Sequence, residues 1–266
     1  MIIVTHSTDA LAGDYRNLIR FYKRADITAA ISGYNLRPMP KSDNKGRIKT
    51  DDEKHLIMHF PEIKEAFYSK CAILFEGETE YGCIRAFADT VGVSLDDFGI
   101  CVINAGGETA IKCIRQLLAL FAIPSVAIYD GDVKGGHSAN PNEFFTSEAC
   151  FEIEIVKTLF RAGKQKLVRQ IAHDVNNTAD TFTFDANFLK KHFKKLSIDA
   201  NKYQFKRLSD VSDNDEEAFC AMFCAWFIAN KGVLLGRIVG EALAKEDIPD
   251  CYKKAIWRAQ EVAKDG

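Results

Sequence analysis

Three short apolar runs, separated by two segments with helical periodicity, constrain the fold of this chain more than any other feature. The runs are "CAILF" at 71–75, "GICVIN" at 99–104 and "SVAIYD" at 125–130. Continuous apolar runs of this length are typical of strands that are buried on both faces. Because helical segments at 80–90 and 108–121 lie between them, the order predicts a parallel sheet with right-handed crossovers.

Acidic residues follow two of these predicted strands directly. Glu76 ends the first strand, and Asp130 and Asp132 end the third in the sequence "YDGD". Glu80 lies about one helical turn after Glu76, at the start of the next helix. If the first and third strands are neighbours, these acids converge at the carboxyl edge of the sheet. Converging carboxylates repel one another, and a hard divalent cation such as Mg²⁺ or Mn²⁺ removes that repulsion.

Each acid taken alone also has a structural interpretation. Glu80 could be a favourable charge at a helix N-terminus, and Asp132 could be a turn residue beside Gly131. Glu78 lies between the two other glutamates of "EGETE" and is expected to face solvent. The combination of two apolar strands that both end in acids favours a metal site over these separate explanations.

The motifs "LFEGETE" and "VAIYDGD" resemble the TOPRIM domain, which occurs in topoisomerases, primases and certain nucleases. Glu76 matches the signature glutamate of that domain, and Asp130 and Asp132 match its Asp-x-Asp motif. The Glu-Gly-x-x-Glu pattern that ends at Glu80 is similar to the nuclease branch, especially the overcoming lysogenization defect (OLD) family. The resemblance implies an α/β fold, a Rossmann-like parallel sheet flanked by helices, with an additional C-terminal region that is mainly helical.

The resemblance implies two further site residues. One is an acid from the helix expected at 149–160, for which Glu152 and Glu154 are the candidates. Their side chains point about 200° apart on a helix, so only one is expected to face the site. The Phe-Glu context favours Glu152. The other is Lys231, in "NKGVLLGRIVGEAL", which matches a lysine that the family places near its site.

The function that the resemblance implies is endonucleolytic hydrolysis of DNA with two Mg²⁺ or Mn²⁺ ions. Glu76, Asp130 and Glu152 would bind one ion, and Glu80 would bind the other with Asp130 or Asp132. Lys231 would offset charge on the scissile phosphate. The alternatives are a non-catalytic TOPRIM module that binds nucleic acid and a TOPRIM nuclease that acts on RNA. OLD nucleases are associated with anti-phage defence. The resemblance to this family also implies that the chain could form a homodimer.

The N-terminal sequence "MIIVTHSTDAL" resembles the last strand of the ABC-type ATPase that precedes TOPRIM in OLD proteins, with His6 as its switch histidine. The chain contains no G-x-x-x-x-G-K-[ST] loop, so we expect no ATP hydrolysis from it alone and an ATPase on a separate chain or domain. The resulting domain prediction is an ATPase remnant at 1–36, a linker with helices at 37–70, the TOPRIM core at 71–160 and a helical region at 161–266.

Composition limits the remaining possibilities. The net charge is −2, so contacts with nucleic acid must come from local basic patches such as 161–207, where lysines alternate with phenylalanines. A solvated helical surface is the other interpretation of that segment.

The eight cysteines are irregularly spaced in apolar contexts, which favours reduced core thiols. No apolar run approaches the ~20 residues that span a bilayer, and no signal peptide is recognised, so a cytoplasmic protein is expected.

The glycine pair Gly106–Gly107 follows the second predicted strand. Its backbone amides could approach a phosphate at the start of the next helix. A tight strand-to-helix turn that needs glycine is the slightly favoured alternative.

Overall fold

The computed structural model describes residues 4, 7, 8, 11, 13–24, 27–36, 60, 63–192 and 199–265. The strand expected at residues 1–4 falls almost entirely outside these ranges, and so does His6, the predicted switch histidine.

The strands of the described chain form two sheets. One is an antiparallel hairpin of Ile19–Arg24 (β1) and Ile27–Ser32 (β2). The other has four strands, all paired in parallel, in the spatial order β4-β3-β5-β6. Its members are Cys71–Phe75 (β3), Ile100–Asn104 (β4), Ser125–Tyr129 (β5) and Glu143–Phe145 (β6). The three predicted strands and their parallel pairing are therefore confirmed, and the first and third are neighbours.

Both faces of the parallel sheet are covered, as the unbroken apolar run of β3 predicts. Cys71, Ile73 and Phe75 point into one hydrophobic cluster, and Ala72 and Leu74 point into a second cluster on the opposite face. All five residues of β3 are buried. The alternation follows from the two-residue period of a strand. The central strand can therefore place only its end, Glu76, in contact with water.

Helices surround the sheet and extend into the C-terminal region. Those of the described ranges are Glu78–Val91 (α1), Glu108–Leu120 (α2), Phe151–Arg161 (α3), Gln165–Val175 (α4), Ala186–His192 (α5), Glu216–Ala229 (α6), Val233–Ala242 (α7) and Asp250–Asp265 (α8). Short 3-10 turns lie at Tyr15–Asn17, Gly33–Leu36, Lys64–Tyr68, Gly131–Gly136, Ala179–Thr181, Ala200–Tyr203 and Leu208–Asp210. The α/β fold with a mainly helical C-terminal region is thus as predicted.

The acidic loop before α6 caps that helix. The Asp215 carboxylate accepts a hydrogen bond of 3.0 Å from the backbone N–H of Ala218. An N-cap carboxylate satisfies a donor that the first helical turn leaves unpaired. The Asp215 side chain therefore marks the start of α6.

Helices α1 and α7 approach each other through glycines. A Cβ atom placed on Gly236 would lie 1.9 Å from the carbonyl oxygen of Thr79, and one on Gly82 would lie 2.3 Å from that of Val233. Only a residue without a side chain fits at such a distance. This close contact sets the first turn of α1 against the first turn of α7.

The β1–β2 hairpin, which the sequence pattern did not predict, is attached to the sheet domain through Arg20. Its guanidinium donates hydrogen bonds to the carbonyl oxygens of Phe121 at 2.8 Å and Ala122 at 3.0 Å. Both acceptors follow the end of α2, where helical carbonyls lack partners within the helix. One arginine therefore satisfies this helix end and holds the hairpin against it.

The remaining composition-based expectations concern cysteines and membranes. All eight cysteine side chains are free thiols in the structure, and all except Cys251 are buried. Within the described ranges, no helix combines the length and the apolar character needed to cross a bilayer.

Candidate functional site

The ends of β3 and β5 bring two of the predicted acids into contact. The two strands pair in parallel with Leu74 opposite Ala127, so Glu76 and Asp130 leave the same edge of the sheet. One carboxylate oxygen of Glu76 accepts a hydrogen bond of 3.0 Å from the backbone N–H of Asp130. The contact that the strand order predicted is present.

Glu80 is a buried member of this group. It lies in the first turn of α1 and is only 5% exposed. Burial raises the pKa of its carboxyl well above the ordinary value, and the negative charges of Glu152, Asp130 and Glu76 raise it further. These charges act on Glu80 only because the four carboxyl groups lie close together.

Glu152 joins the cluster through Thr79. The Thr79 hydroxyl donates a hydrogen bond of 2.8 Å to the Glu152 carboxylate, and it accepts one of 3.1 Å from the backbone N–H of Gly232. This chain of bonds connects α3, α1 and the start of α7. It also sets the orientation of the Glu152 carboxylate.

Glu154, the alternative acid on the same helix, has different partners. Its carboxylate accepts hydrogen bonds from the Ser147 hydroxyl at 2.7 and 2.8 Å and from the backbone N–H of Glu148 at 2.8 Å. These groups belong to the segment that precedes α3. Glu154 therefore secures that segment, and Glu152 is the acid that faces Glu80.

The structure places Asp132 and Lys231 differently from the four clustered acids. Asp132 lies in the 3-10 turn Gly131–Gly136, and its side chain is exposed. Lys231 is also exposed, directly before Gly232. The pKa of His192 is lowered by burial first, and then by the charges of Lys191 and Lys231. Lys231 is therefore adjacent in sequence to the Thr79 contact and close in space to the end of α5.

Residues 67–132 match a protein-family model described as the TOPRIM domain of overcoming lysogenization defect protein-like proteins. Residues 67–132 are an OLD-like TOPRIM domain. The match begins before β3 and ends at Asp132, so it contains Glu76, Glu80 and Asp130. Glu152 and Lys231 follow the matched segment.

Two solved structures of OLD protein C-terminal regions are similar to this chain. That of Xanthomonas campestris pv. campestris has 18% sequence identity, with 75% of this chain and 96% of that chain covered, at a TM-score of 0.47. That of Burkholderia pseudomallei has 12% identity, with 74% and 99% covered, at a TM-score of 0.46. No curated protein has a sequence that matches this chain.

TOPRIM domains generally bind divalent metals, and the donors here suit such ions. The clustered side chains offer carboxylate oxygens, the ligands that Mg²⁺ and Mn²⁺ prefer. Among the residues that the structure describes, however, no three His, Cys, Asp or Glu side chains are arranged to hold a metal ion. Glu76 and Glu152 are hydrogen-bonded to protein groups instead.

Two residues of this region, in addition to the TOPRIM acids, were not predicted from the sequence. One is Thr79, whose only signal is a small hydroxyl residue between two glutamates in "EGETE". The other is His137, whose ring nitrogens lie 3.0 Å from a carboxylate oxygen of Glu143 and 3.1 Å from one of Glu108. Its ring centroid is also 4.4 Å from that of Tyr129. His137 thus ties the loop that follows Asp130 to the sheet and to the start of α2.

The glycine turn before α2 has the geometry that favours its structural interpretation. Gly106 and Gly107 have φ angles of 75° and 140°, which other residues rarely adopt. The Asn104 side chain accepts a hydrogen bond of 3.2 Å from the backbone N–H of Gly106. The turn needs both glycines whether or not a phosphate approaches it.

Replacing Glu80 with glutamine should stabilise the metal-free chain at neutral pH. Because its pKa is raised above the ordinary 4.5, Glu80 binds its proton more strongly in the folded chain than in the unfolded chain. The stability from this group is therefore complete below about pH 4.5 and is lost as pH rises through the raised pKa. In EDTA, we expect Glu80→Gln to melt higher than the unaltered chain at pH 7, by roughly 2–4 °C per kcal/mol of repulsion removed.

Thermal unfolding in EDTA between pH 4 and pH 8 measures this effect, and the exposed Glu78→Gln is the matched control. The difference between Glu80→Gln and the unaltered chain should shrink towards pH 4, where both forms of residue 80 are neutral. A Glu80→Gln variant that melts lower by the same amount at every pH would contradict the prediction.

Proposed function

We propose that this chain is an endonuclease that hydrolyses phosphodiester bonds of DNA with Mg²⁺ or Mn²⁺ bound at the carboxylate cluster. The observation that carries the proposal is the convergence of acids at one edge of the sheet: the Glu76 carboxylate is bonded to the backbone N–H of Asp130, and Thr79, beside Glu80, is bonded to Glu152. Mutual repulsion of buried acids opposes folding, and a divalent cation is the partner that turns this repulsion into binding energy. The OLD-like TOPRIM domain supports a nuclease-type function.

The clustered acids divide naturally between two cations. Glu76, Asp130 and Glu152 would hold one, and Glu80 with Asp130 or the exposed Asp132 would hold the other. When bound, such ions lower the pKa of a water molecule and stabilise the leaving oxygen of the phosphodiester.

Protein groups outside the ligand set have separate roles. The Thr79 hydroxyl, which donates to Glu152 at 2.8 Å, keeps that carboxylate oriented. Lys231 is exposed beside the Thr79 contact, where its charge can offset the negative charge that develops on the scissile phosphate. The side chains of Asp132 and Lys231 are exposed to solvent, where a long polymeric substrate can approach them.

The second candidate function is a TOPRIM module that binds nucleic acid without cutting it. This candidate and the nuclease differ in a single measurable property, which is cleavage in the presence of a divalent metal.

Incubation of the chain with supercoiled plasmid in Mg²⁺, Mn²⁺ or EDTA tests the proposal. Nicked and linear products should form in Mg²⁺ or Mn²⁺ and should not form in EDTA. A parallel reaction with RNA separates the two polymer substrates. Binding of plasmid without cleavage in either metal would contradict the nuclease and leave the binding module.

A further inference from the structure

The segment 182–207 differs in charge from the rest of the chain. It contains seven lysines and arginines against two aspartates, although the whole chain has a net charge of −2. The structure describes this segment at 182–192 and 199–207. Positive charge confined to one segment of an acidic protein attracts a polyanion to that segment alone.

Phe205 occupies an unusual backbone conformation within this segment. Its φ angle is +63°, in the left-handed region that bulky residues rarely adopt. The conformation is held by two backbone hydrogen bonds: the N–H of Phe205 donates to the carbonyl oxygen of Phe184 at 2.7 Å, and the N–H of Phe184 donates to that of Lys206 at 3.0 Å. Glycine or asparagine would adopt this φ more easily. The presence of phenylalanine therefore needs a reason other than the turn.

Packing does not supply that reason, because the Phe205 side chain is 70% exposed. Two other aromatic residues of the segment behave differently: Phe184 and Tyr203 are fully buried and belong to the hydrophobic core. The interleaved aromatics of the basic segment thus divide into core residues and an outward-facing ring. Strained, exposed aromatic residues of this kind occur at functional sites.

Two exposed cations directly follow Phe205 in the chain, and the antiparallel bridge between Thr183 and Arg207 brings a second partly exposed ring, Phe182, close to Arg207. The side chains of Lys206 and Arg207 are exposed, and the Lys206 ammonium lies 5.8 Å from the Tyr203 ring centroid. Phe182 is 39% exposed and packs against Phe184, with ring centroids 5.2 Å apart. We call Phe182, Phe205, Lys206 and Arg207 the Phe205 surface.

Positive charge continues from this segment towards the carboxylate cluster. Lys191 is exposed at the end of α5. Lys191 and Lys231 both contribute to lowering the pKa of His192, so Lys231 lies near this helix end. Lys231 in turn precedes Gly232, which is bonded to Thr79.

We propose that the Phe205 surface binds a nucleic-acid strand with unpaired bases, with Phe205 stacking on a base and Lys206 and Arg207 contacting phosphates. Aromatic side chains stack on any exposed base, and nearby cations follow the backbone. A duplex keeps its base faces covered, so the exposed ring selects single-stranded or opened DNA. The inference rests on the proposed function and names its substrate class.

Fluorescence anisotropy in EDTA tests the inference without cleavage. Labelled oligonucleotides about 20 nucleotides long serve as single-stranded DNA, single-stranded RNA and duplex DNA. Single strands should bind more tightly than the duplex. Phe205→Ala should weaken single-strand binding about 5- to 150-fold, and Phe205→Tyr should retain it. The matched control is Phe21→Ala, which removes a ring that is 68% exposed on the hairpin and should leave binding unchanged.

Two further variants separate binding from a structural role. Asparagine tolerates the left-handed region, so Phe205→Asn should keep or raise the melting temperature while it loses single-strand binding. Lys206→Ala should reduce the dependence of log Kd on log salt by about 0.7. Unchanged binding by Phe205→Ala and Phe205→Asn would overturn the inference. So would equal losses of binding by Phe205→Tyr and Phe205→Ala.

The outcomes for this surface and for the nuclease are distinguishable. If the chain binds single strands through Phe205 but cuts no plasmid in Mg²⁺ or Mn²⁺, the proposed function fails and the Phe205 surface stands. If the chain cuts plasmid while both Phe205 variants bind single strands like the unaltered chain, the surface fails and the nuclease stands.

Discussion

An Asp130→Asn variant should keep its fold and lose metal-dependent DNA cleavage by on the order of 10³-fold. Asparagine has nearly the same shape as aspartate. It also keeps the backbone N–H of residue 130, which donates a hydrogen bond of 3.0 Å to the Glu76 carboxylate. It lacks the negative charge that a divalent cation requires of its ligand. The initial rate of plasmid nicking at fixed Mg²⁺ measures the loss, and thermal unfolding in EDTA verifies the fold.

Two glutamates on α3 provide a matched pair for the same assay. Glu152 and Glu154 are both buried, on one helix, two positions apart. Glu152 is bonded to Thr79, and Glu154 is bonded to Ser147 and the Glu148 backbone. We expect Glu152→Gln to reduce cleavage about as much as Asp130→Asn does, and Glu154→Gln to reduce mainly the melting temperature. Cleavage that survives in both Asp130→Asn and Glu152→Gln would disprove the assignment of the site.

Gly236→Ala should destabilise the chain by about 3 kcal/mol, which corresponds to a fall in melting temperature of roughly 6–12 °C. In an exposed helix the same substitution would stabilise by about 1 kcal/mol, because alanine is the better helix former. Here the new Cβ would lie 1.9 Å from the Thr79 carbonyl oxygen, a backbone atom that cannot rotate away. Helices α1 and α7 would have to separate.

Thermal or urea unfolding measures this effect, and Gly135→Ala is the control. A Cβ on Gly135 would meet no atom within 4 Å, so its stability should change little. Because α1 carries Thr79 and Glu80, we also expect Gly236→Ala to weaken plasmid cleavage. Gly236→Ala with unchanged stability would show that the two helices pack less closely than the structure describes.

Apolar patterning predicted the sheet because both faces of β3 are buried. A strand covered on two sides has to be apolar throughout, so "CAILF" could be recognised without knowledge of its neighbours. The hairpin β1–β2 has mixed polarity and is attached through Arg20, whose acceptors at Phe121 and Ala122 are remote in sequence. No local sequence pattern predicts such a contact, so the hairpin could not be predicted from the sequence.

The candidate site residues also divide into those that local sequence patterns predicted and those that depend on contacts between remote segments. Glu76 and Asp130 could be paired in advance only on the condition that the first and third strands are neighbours, and the structure meets that condition. The geometry of a helix predicted that only one of Glu152 and Glu154 could face the site. It could not exclude Glu154, whose partners at Ser147 and Glu148 depend on the path of the segment before α3. The family resemblance, rather than the pattern, singled out Lys231.

The sequence by itself determined which two strands would be followed by acids and that parallel pairing would place these acids at one edge, because a strand buried on both faces is recognisable from its own residues. The neighbouring positions of β3 and β5 were decided by the tertiary structure. Only the tertiary structure decided which side chains orient the acids. The bond from Gly232 to Thr79 joins residues 153 positions apart, and the left-handed Phe205 is held by Phe184 across a turn. Contacts at such separations depend on how helices and loops pack together, which the order of residues within each element does not specify.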